Sequence, residues 1–305
     1  MDLAAIHGFF DTLAMRGLTD MSPAVTGSLV AAVWQGAALA SCAALCLRLL
    51  PKAPAAMRFA IWFAVFAVIA GLPFIGLWGH HGAGTEHPWL TLDERWCMAI
   101  TIFWGCASLV RVTGLVLSGF RLRAMWKRAR PIEVEGFSAK ETRGAELCIS
   151  DEVDRPSVIG FFSPRILIPE WLFEKLSRDE LEQIVLHETG HLGRADDWMN
   201  LLQKVALVVF PLNPALAWVE RRLCFERELA CDERVLQATN APKAYAACLA
   251  TLAEYRLGCR GISLSLGALG RESELGQRVR RILRRRERMN AGHARLALGG
   301  AMIAL

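Results

Sequence analysis

The chain has 305 residues, 53% of them hydrophobic, with a mean hydropathy of +0.30 and a formal net charge of +5. That composition excludes an ordinary soluble domain. The apolar excess lies in the first 120 residues, so a membrane part precedes a globular part. The nine cysteines form no C-x-x-C pair, which argues against a thiolate zinc site or a disulfide framework and for packing residues in a reducing setting.

Residues 1–23 carry Asp2, Asp11 and Asp20 and lack the basic start and small-residue cleavage site of a signal peptide, so they read as an extracytoplasmic tail. Residues 24–50 hold no charge before Arg48 and are long enough to cross a bilayer, as are residues 57–78. A polar loop with His80, His81 and His87 follows; these read as solvated histidines. A third span covers 96–120, interrupted by Arg111, with the membrane exit expected near Val110. Arg48, Lys52 and Arg58 join the first two spans, and Arg121, Arg123, Lys127, Arg128 and Arg130 follow the third. The positive-inside rule therefore places the N-terminus outside and residues 121–290 in the cytoplasm of a bacterial-type inner membrane.

Within 121–290, three short strands are expected at Glu146–Ser150, Ser157–Phe162 and Arg165–Pro169, with Ser163-Pro164 as a turn. Ser177-Arg178-Asp179-Glu180 is a capping box that sets the start of a helix. The apolar stretch Leu201–Val219 is broken by Pro211-Leu212-Asn213-Pro214 and carries Lys204. It reads as two short helices, buried or lying against the bilayer surface, with a separate helix over Glu220–Leu236 and another from Pro242. The run Arg278–Arg288 reads as a cytoplasmic basic flank rather than a nucleic-acid site, because residues 294–305 look like the opening of a truncated fourth span.

The capped helix carries His187-Glu188-Thr189-Gly190-His191. Histidines four apart on a helix project from one face and can hold a single metal, and Glu188 beside them can take a proton from a bound water. A catalytic zinc wants three protein ligands and an open position. Beyond residue 90 the only other histidine is His293, so the third ligand should be a carboxylate. Glu228 and Asp232 share a helical face: one binds metal while the other orients an imidazole, or both belong to a solvated helix of Glu–Arg pairs. Asp196 and Asn200 prolong the motif helix and either brace the second carboxylate helix or lie on the surface. Gly190 should cost its helix up to about 1 kcal/mol, offset by close packing there.

The motif with Asp196 and Asn200, then Asn213-Pro214, Glu228-Leu229-Ala230-Cys231-Asp232 and Tyr245-Ala246, resembles the BlaR/MecR-type membrane metallopeptidase family. Arg58, Trp62 and the Pro156–Pro169 segment centred on Gly160 and Pro164 agree. The resemblance implies a mostly α integral membrane protein with three to four transmembrane helices and a cytoplasmic α+β, gluzincin-like zinc metallopeptidase domain. It implies one Zn2+ held by His187, His191 and Glu228, with Asp232, Asp196 and Asn200 behind the ligands and Glu188 as general base. It also implies that the edge at Val158, Ile159 and Gly160 receives an extended substrate strand. In the family, an extracellular penicillin-binding domain senses a β-lactam and a repressor is cleaved. The implied partners are membrane lipid and a protein substrate, a DNA-binding repressor; direct nucleic-acid binding is not expected. The rivals are a quality-control membrane peptidase of the HtpX type and a non-proteolytic signalling scaffold. Tyr245 and several arginines are candidates for stabilising the oxyanion.

Overall fold

A computed structural model describes residues 3–51, 53–79, 93–134, 142–259 and 266–283. The histidines of the 80–92 loop and the expected fourth span at 294–305 lie outside the described residues.

Three long helices come first: α1 (Leu3–Leu49), α2 (Ala55–Gly79) and α3 (Glu94–Arg128). Each contains a stretch long and apolar enough to cross a membrane, Thr26–Leu49, Ala55–Phe74 and Arg95–Arg128. The expected tail is helical from Leu3 and continuous with the first span. Small side chains let α1 and α2 approach closely: Ala40 and Ala43 are buried against Trp62, Val65 and Ile69. At one end Thr26 Oγ1 lies 3.5 Å from the Cys97 carbonyl and Ser28 donates to that of Pro73. At the other, Arg58 Nη1 reaches the Leu47 carbonyl. These pairs mark the two ends of the three-helix layer.

A small sheet follows. Its strands are β1 (Arg130–Pro131), β2 (Glu146–Ser150), β3 (Ser157–Ile159) and β4 (Arg165–Pro169), in the order β1-β2-β4-β3, with β2 and β4 parallel and the other pairs antiparallel. The second expected strand stops three residues early. Gly160 takes φ +112° and turns the chain, and a β-carbon there would lie 2.5 Å from the Ser163 carbonyl oxygen. Phe161 and Phe162 therefore leave the sheet. Leu147, Ile166 and Ile168 of the sheet pack with Leu172 of α4 (Glu170–Phe173), Leu181, Ile184 and Val185 of α5 (Arg178–Gly193), and Cys248 of α8 (Pro242–Cys259).

The awkward apolar stretch resolves into a hairpin of α6 (Asp196–Val209) and α7 (Pro214–Thr239). What reads in sequence as a short helix and a separate charged one is a single 26-residue helix. The prolines explain the break: Asn213 caps α7 by accepting from Leu216 N at 3.0 Å, and Pro214 occupies the first turn, where a missing N–H costs nothing. α7 then runs antiparallel to α2. Phe210 meets Phe74 with ring centroids 5.7 Å apart, Trp218 meets Trp62 at 5.3 Å, and Arg58 Nε bonds Glu226 at 2.7 Å. Finally Glu233 accepts from Ala55 N at 3.2 Å. The last described helix, α9 (Leu266–Leu283), packs Leu275, Val279 and Ile282 against Val235 of α7 and Tyr245 and Leu249 of α8.

The Arg58–Glu226 pair ties the start of a span to the globular half, with the Glu226 side chain only 2% exposed. Breaking one partner leaves a buried charge, whereas replacing both with apolar groups does not. Arg58→Ala is expected to cost about 3–5 kcal/mol, read as a fall in apparent unfolding temperature in detergent. Arg58→Met with Glu226→Leu is expected to recover most of that loss.

Candidate metal centre

α5 is positioned by the capping box read from the sequence: the Glu180 N–H donates to Ser177 Oγ at 3.4 Å, and the Ser177 N–H donates to the Glu180 carboxylate at 3.0 Å. With that start, Leu181, Ile184 and Val185 face the sheet core, and His187 and His191 face α7. The imidazoles stand with centroids 5.1 Å apart at 75°.

The far nitrogens of both rings are occupied by carboxylates. His187 Nδ1 lies 3.3 Å from Asp232 Oδ1 and 2.9 Å from the Tyr245 hydroxyl, which itself donates to Asp232 at 2.8 Å. His191 Nδ1 lies 2.8 Å from Asp196 Oδ2. The motif helix does not continue through Asp196 and Asn200 as the sequence suggests. It ends at Gly193, Ala195 adopts the left-handed conformation with φ +54°, and Asp196 opens α6. That turn costs a non-glycine residue about 1 kcal/mol, and it is what brings the Asp196 carboxylate back onto His191. Arg194 holds the turn against α7, bonding Asp196 at 2.6 Å, the Arg227 carbonyl at 3.3 Å and Cys231 Sγ at 3.0 Å. Asn200, one turn further along α6, is half-buried and makes no hydrogen bond to these residues among those described.

With Nδ1 engaged, each ring turns Nε2 to the same point, and Glu228 meets both there. Its oxygens lie 3.5 Å from His187 Nε2 and 3.7 Å from His191 Nε2. Donors around a tetrahedral ion with bonds of 2.0–2.1 Å stand about 3.3 Å apart, close to these two separations. Cys231 Sγ also lies within 4.8 Å of ligating atoms of both histidines. Its sulfur is engaged by Arg194, and Glu228 is the group that faces both free nitrogens. Glu188, beside His187, is 7% exposed and free of the carboxylate pairings behind the rings.

Arg278 is the residue that sequence reasoning missed. It lies not in a solvated flank but inside the site. Its Nε and Nη2 bond the two oxygens of Asp232 at 2.8 and 2.7 Å, and Nη1 lies 3.1 Å from Glu228 Oε2. The signal was present: Leu275, Val279 and Ile282 trace one helical stripe, and position 278 falls on it. Tyr245 is corrected too. It is 1% exposed and sits behind His187, so it cannot reach an oxyanion in front of the metal position.

The electrostatics follow from this crowding. Burial disfavours the charged forms of all these groups, yet mutual pairing outweighs it. His187 is held well above the usual imidazole value by Asp232 and Glu228, and His191 is raised to about 10 by Asp196 and Cys231. Glu228 is held well below the carboxylate range by His187 and Arg278, and Asp232 is lowered to about 2 by Arg278. Without a metal the cradle holds protons where the ion would sit, so ion and protons compete.

Gly190 carries the other departure from a usual helix. A β-carbon there would stand 2.9 Å from Cys231 Sγ, so the glycine admits close contact between α5 and α7.

Comparison with known proteins converges on these elements. The family described as BlaR1 peptidase M56 matches residues 79–282. The methicillin resistance mecR1 protein of Staphylococcus aureus is 33% identical over 91 residues, 30% of this chain and 16% of that protein. The mecR1 protein of Staphylococcus epidermidis matches equally. The regulatory protein BlaR1 of Bacillus licheniformis is 28% identical over 88 residues, 29% of this chain and 14% of that protein. The matches thus span about a sixth of these relatives' own length.

Two outcomes are expected here. Asp232→Asn and Arg278→Ala should each weaken zinc binding about 10–100-fold in a chelator competition, and zinc binding to either protein should weaken further as pH falls. Gly190→Ala should destabilise by overpacking, which typically costs about 1–3 kcal/mol. Gly190→Ala with Cys231→Ala should instead unfold at a higher temperature than Cys231→Ala alone, because the helix gains about 1 kcal/mol in propensity.

Proposed function

From the premise that the chain belongs to the BlaR1 peptidase M56 family, we propose that it is a membrane zinc endopeptidase that cuts a cytoplasmic protein in response to a signal from outside. The observation that carries this reading is the convergence of His187 Nε2, His191 Nε2 and the Glu228 carboxylate within 3.5–3.7 Å, beside Glu188. His187, His191 and Glu228 hold the ion, and Asp232 and Asp196 orient the imidazoles. When bound, zinc polarises the scissile carbonyl and acidifies a water. Glu188 takes a proton from the attacking water and delivers it to the amide nitrogen of the departing amine. Arg278 keeps Glu228 and Asp232 ionised and in place. Asn200 is left as a surface residue of α6.

The substrate lies extended along β3. Among the described residues this strand ends the sheet order, so the edge at Val158, Ile159 and Gly160 is open to an added strand. Main-chain pairing places the scissile bond by register and leaves side-chain specificity to neighbouring loops. The flanking arginines and lysines favour a cytoplasmic peptidase domain and an N-terminus outside. The relatives' printed names concern methicillin resistance and regulation, and a transcriptional repressor is the protein substrate this reading names.

The test uses the full chain in nanodiscs with a candidate repressor. Wild type is expected to bind one zinc and cleave. Glu188→Gln should keep the metal while cleavage falls by about 10²–10⁴-fold, whereas His187→Ala should lose both. A wild-type protein without stoichiometric metal would overturn the reading. So would unchanged signalling by Glu188→Ala in cells, which would favour a scaffold. Retention of zinc by Glu228→Ala would remove only the third-ligand assignment.

A further inference from the structure

The contacts of the α6–α7 hairpin fix its depth against the three-helix layer. Glu226 and Glu233 meet the start of α2 at Arg58 and Ala55. Twelve residues earlier the helix begins beside the middle of that layer: a β-carbon on Gly36 would stand 3.4 Å from Ala215 Cβ, and Gly36 lies about halfway between Thr26 and Leu47 on α1. The turn reaches further, with Phe210 packed on Phe74 and Arg111 Nη2 3.4 Å from the Pro211 carbonyl oxygen. α6 then runs back beside α3, towards the end of α3 where Trp126 donates to the Ser163 carbonyl. We propose that this hairpin is re-entrant: it enters the bilayer from the face that carries the metal centre, turns beyond the midplane and returns, with one side of α6 against lipid acyl chains. The proposal rests on reading α1–α3 as membrane spans.

Two independent features support a lipid occupant. First, the exposed face of α6 is a single stripe, Trp198, Leu202, Val205 and Val209, spaced four, three and four residues apart, while Gln203, Leu207 and Phe210 are buried. α6 packs beside α3, whose Ile102, Phe103, Leu109, Val110, Val116 and Leu117 are all exposed too, so both neighbouring helices present apolar side chains outward. Between Trp198 and Val209 the stripe is about 17 Å long, roughly half the hydrocarbon thickness. At its shallow end Phe161 and Phe162 pack on Trp198 in tilted and edge-on contacts, with centroids 4.8 and 5.7 Å away, where an aromatic belt would meet headgroups.

Second, the hairpin's one charged side chain and its turn are satisfied from within, as hydrocarbon favours, while the buried Gln203 amide has no hydrogen-bond partner among the described residues. From Trp198 to Val219 the only ionisable residue is Lys204, and it pairs with Glu220 at 2.6 Å. The turn is capped by the Asn213 side chain on Leu216 N, and Arg111 of α3 lies beside the Pro211 carbonyl.

The measurement is membrane depth. Spin labels are introduced one at a time through an unnatural amino acid at Trp198, Leu202, Val205 and Val209, and at Leu109 of α3 as reference. The full chain is reconstituted in phosphatidylcholine vesicles, and each label's collisions with oxygen and with a water-soluble nickel chelate are compared. Oxygen should dominate increasingly from Trp198 to Val209, with Val209 as deep as Leu109. Nickel access along the whole stripe, with Leu109 deep, would overturn the proposal and leave α3 as a span. Shielding of the stripe from both probes would also overturn it, since protein rather than lipid would cover the face. Nickel access at Leu109 itself would overturn the membrane reading on which the proposal rests.

Discussion

The site depends on two carboxylate–imidazole bonds. Two histidines one turn apart can each present either ring nitrogen, and without a constraint the four choices do not converge. Asp232 on α7 and Asp196 at the start of α6 occupy Nδ1 of His187 and His191, leaving only Nε2 for a shared ion. The three elements that meet there, α5, α6 and α7, are separate helices, so the site exists only once they pack together. Burying so much charge is tolerable because each member is paired: Arg278 serves both Glu228 and Asp232, and Arg194 serves Asp196 and the α7 backbone.

The same arrangement explains which residues the sequence made visible. His187, Glu188 and His191 could be found because helical spacing alone places them, and the capping box marked where their helix begins. Glu228 and Asp232 could be found as a pair, but spacing did not say which would face the metal. The family resemblance names Glu228 for that place; in the structure Glu228 meets Nε2 of both rings and Asp232 stands behind one. Asp196 was placed behind the ligands, but on a continuing motif helix rather than at the start of the next one. No pattern announces that Ala195 will adopt a left-handed turn, because alanine has no local preference for it. Arg278 was obscured by the eleven residues of basic sequence around it, where one buried arginine resembles its solvated neighbours.

The fold was legible to a similar degree. Long apolar stretches identify spans from composition alone, and short strands at 146–150 and 165–169 follow from β-branched and apolar runs between turn residues. The α6–α7 hairpin was not legible, because one helix carries two periodic patterns. Its first half packs Leu216, Val219 and Leu223 against α1 and α2, and its second half arranges charge around the metal position. Read along the chain, the change of pattern looks like the junction of two helices. The proline pair that does break the chain lies earlier, and its function is to cap.

α7 thus engages span and site on different sides of one rigid rod. Glu226 and Glu228 are two residues apart, about 200° around the axis, so the oxygen bonded to Arg58 and the oxygens facing the imidazoles point in nearly opposite directions. In mechanical terms α7 is a shaft with a key on each side. At a side-chain radius of about 5–6 Å, a turn of about 10° sweeps a carboxylate through about 1 Å, a displacement on the order that costs 10²-fold in rate when it falls on a reacting group. Because Arg58 of α2 bonds one side of that shaft, a turn of α7 that moves Glu226 against Arg58 also moves Glu228 relative to the two imidazoles.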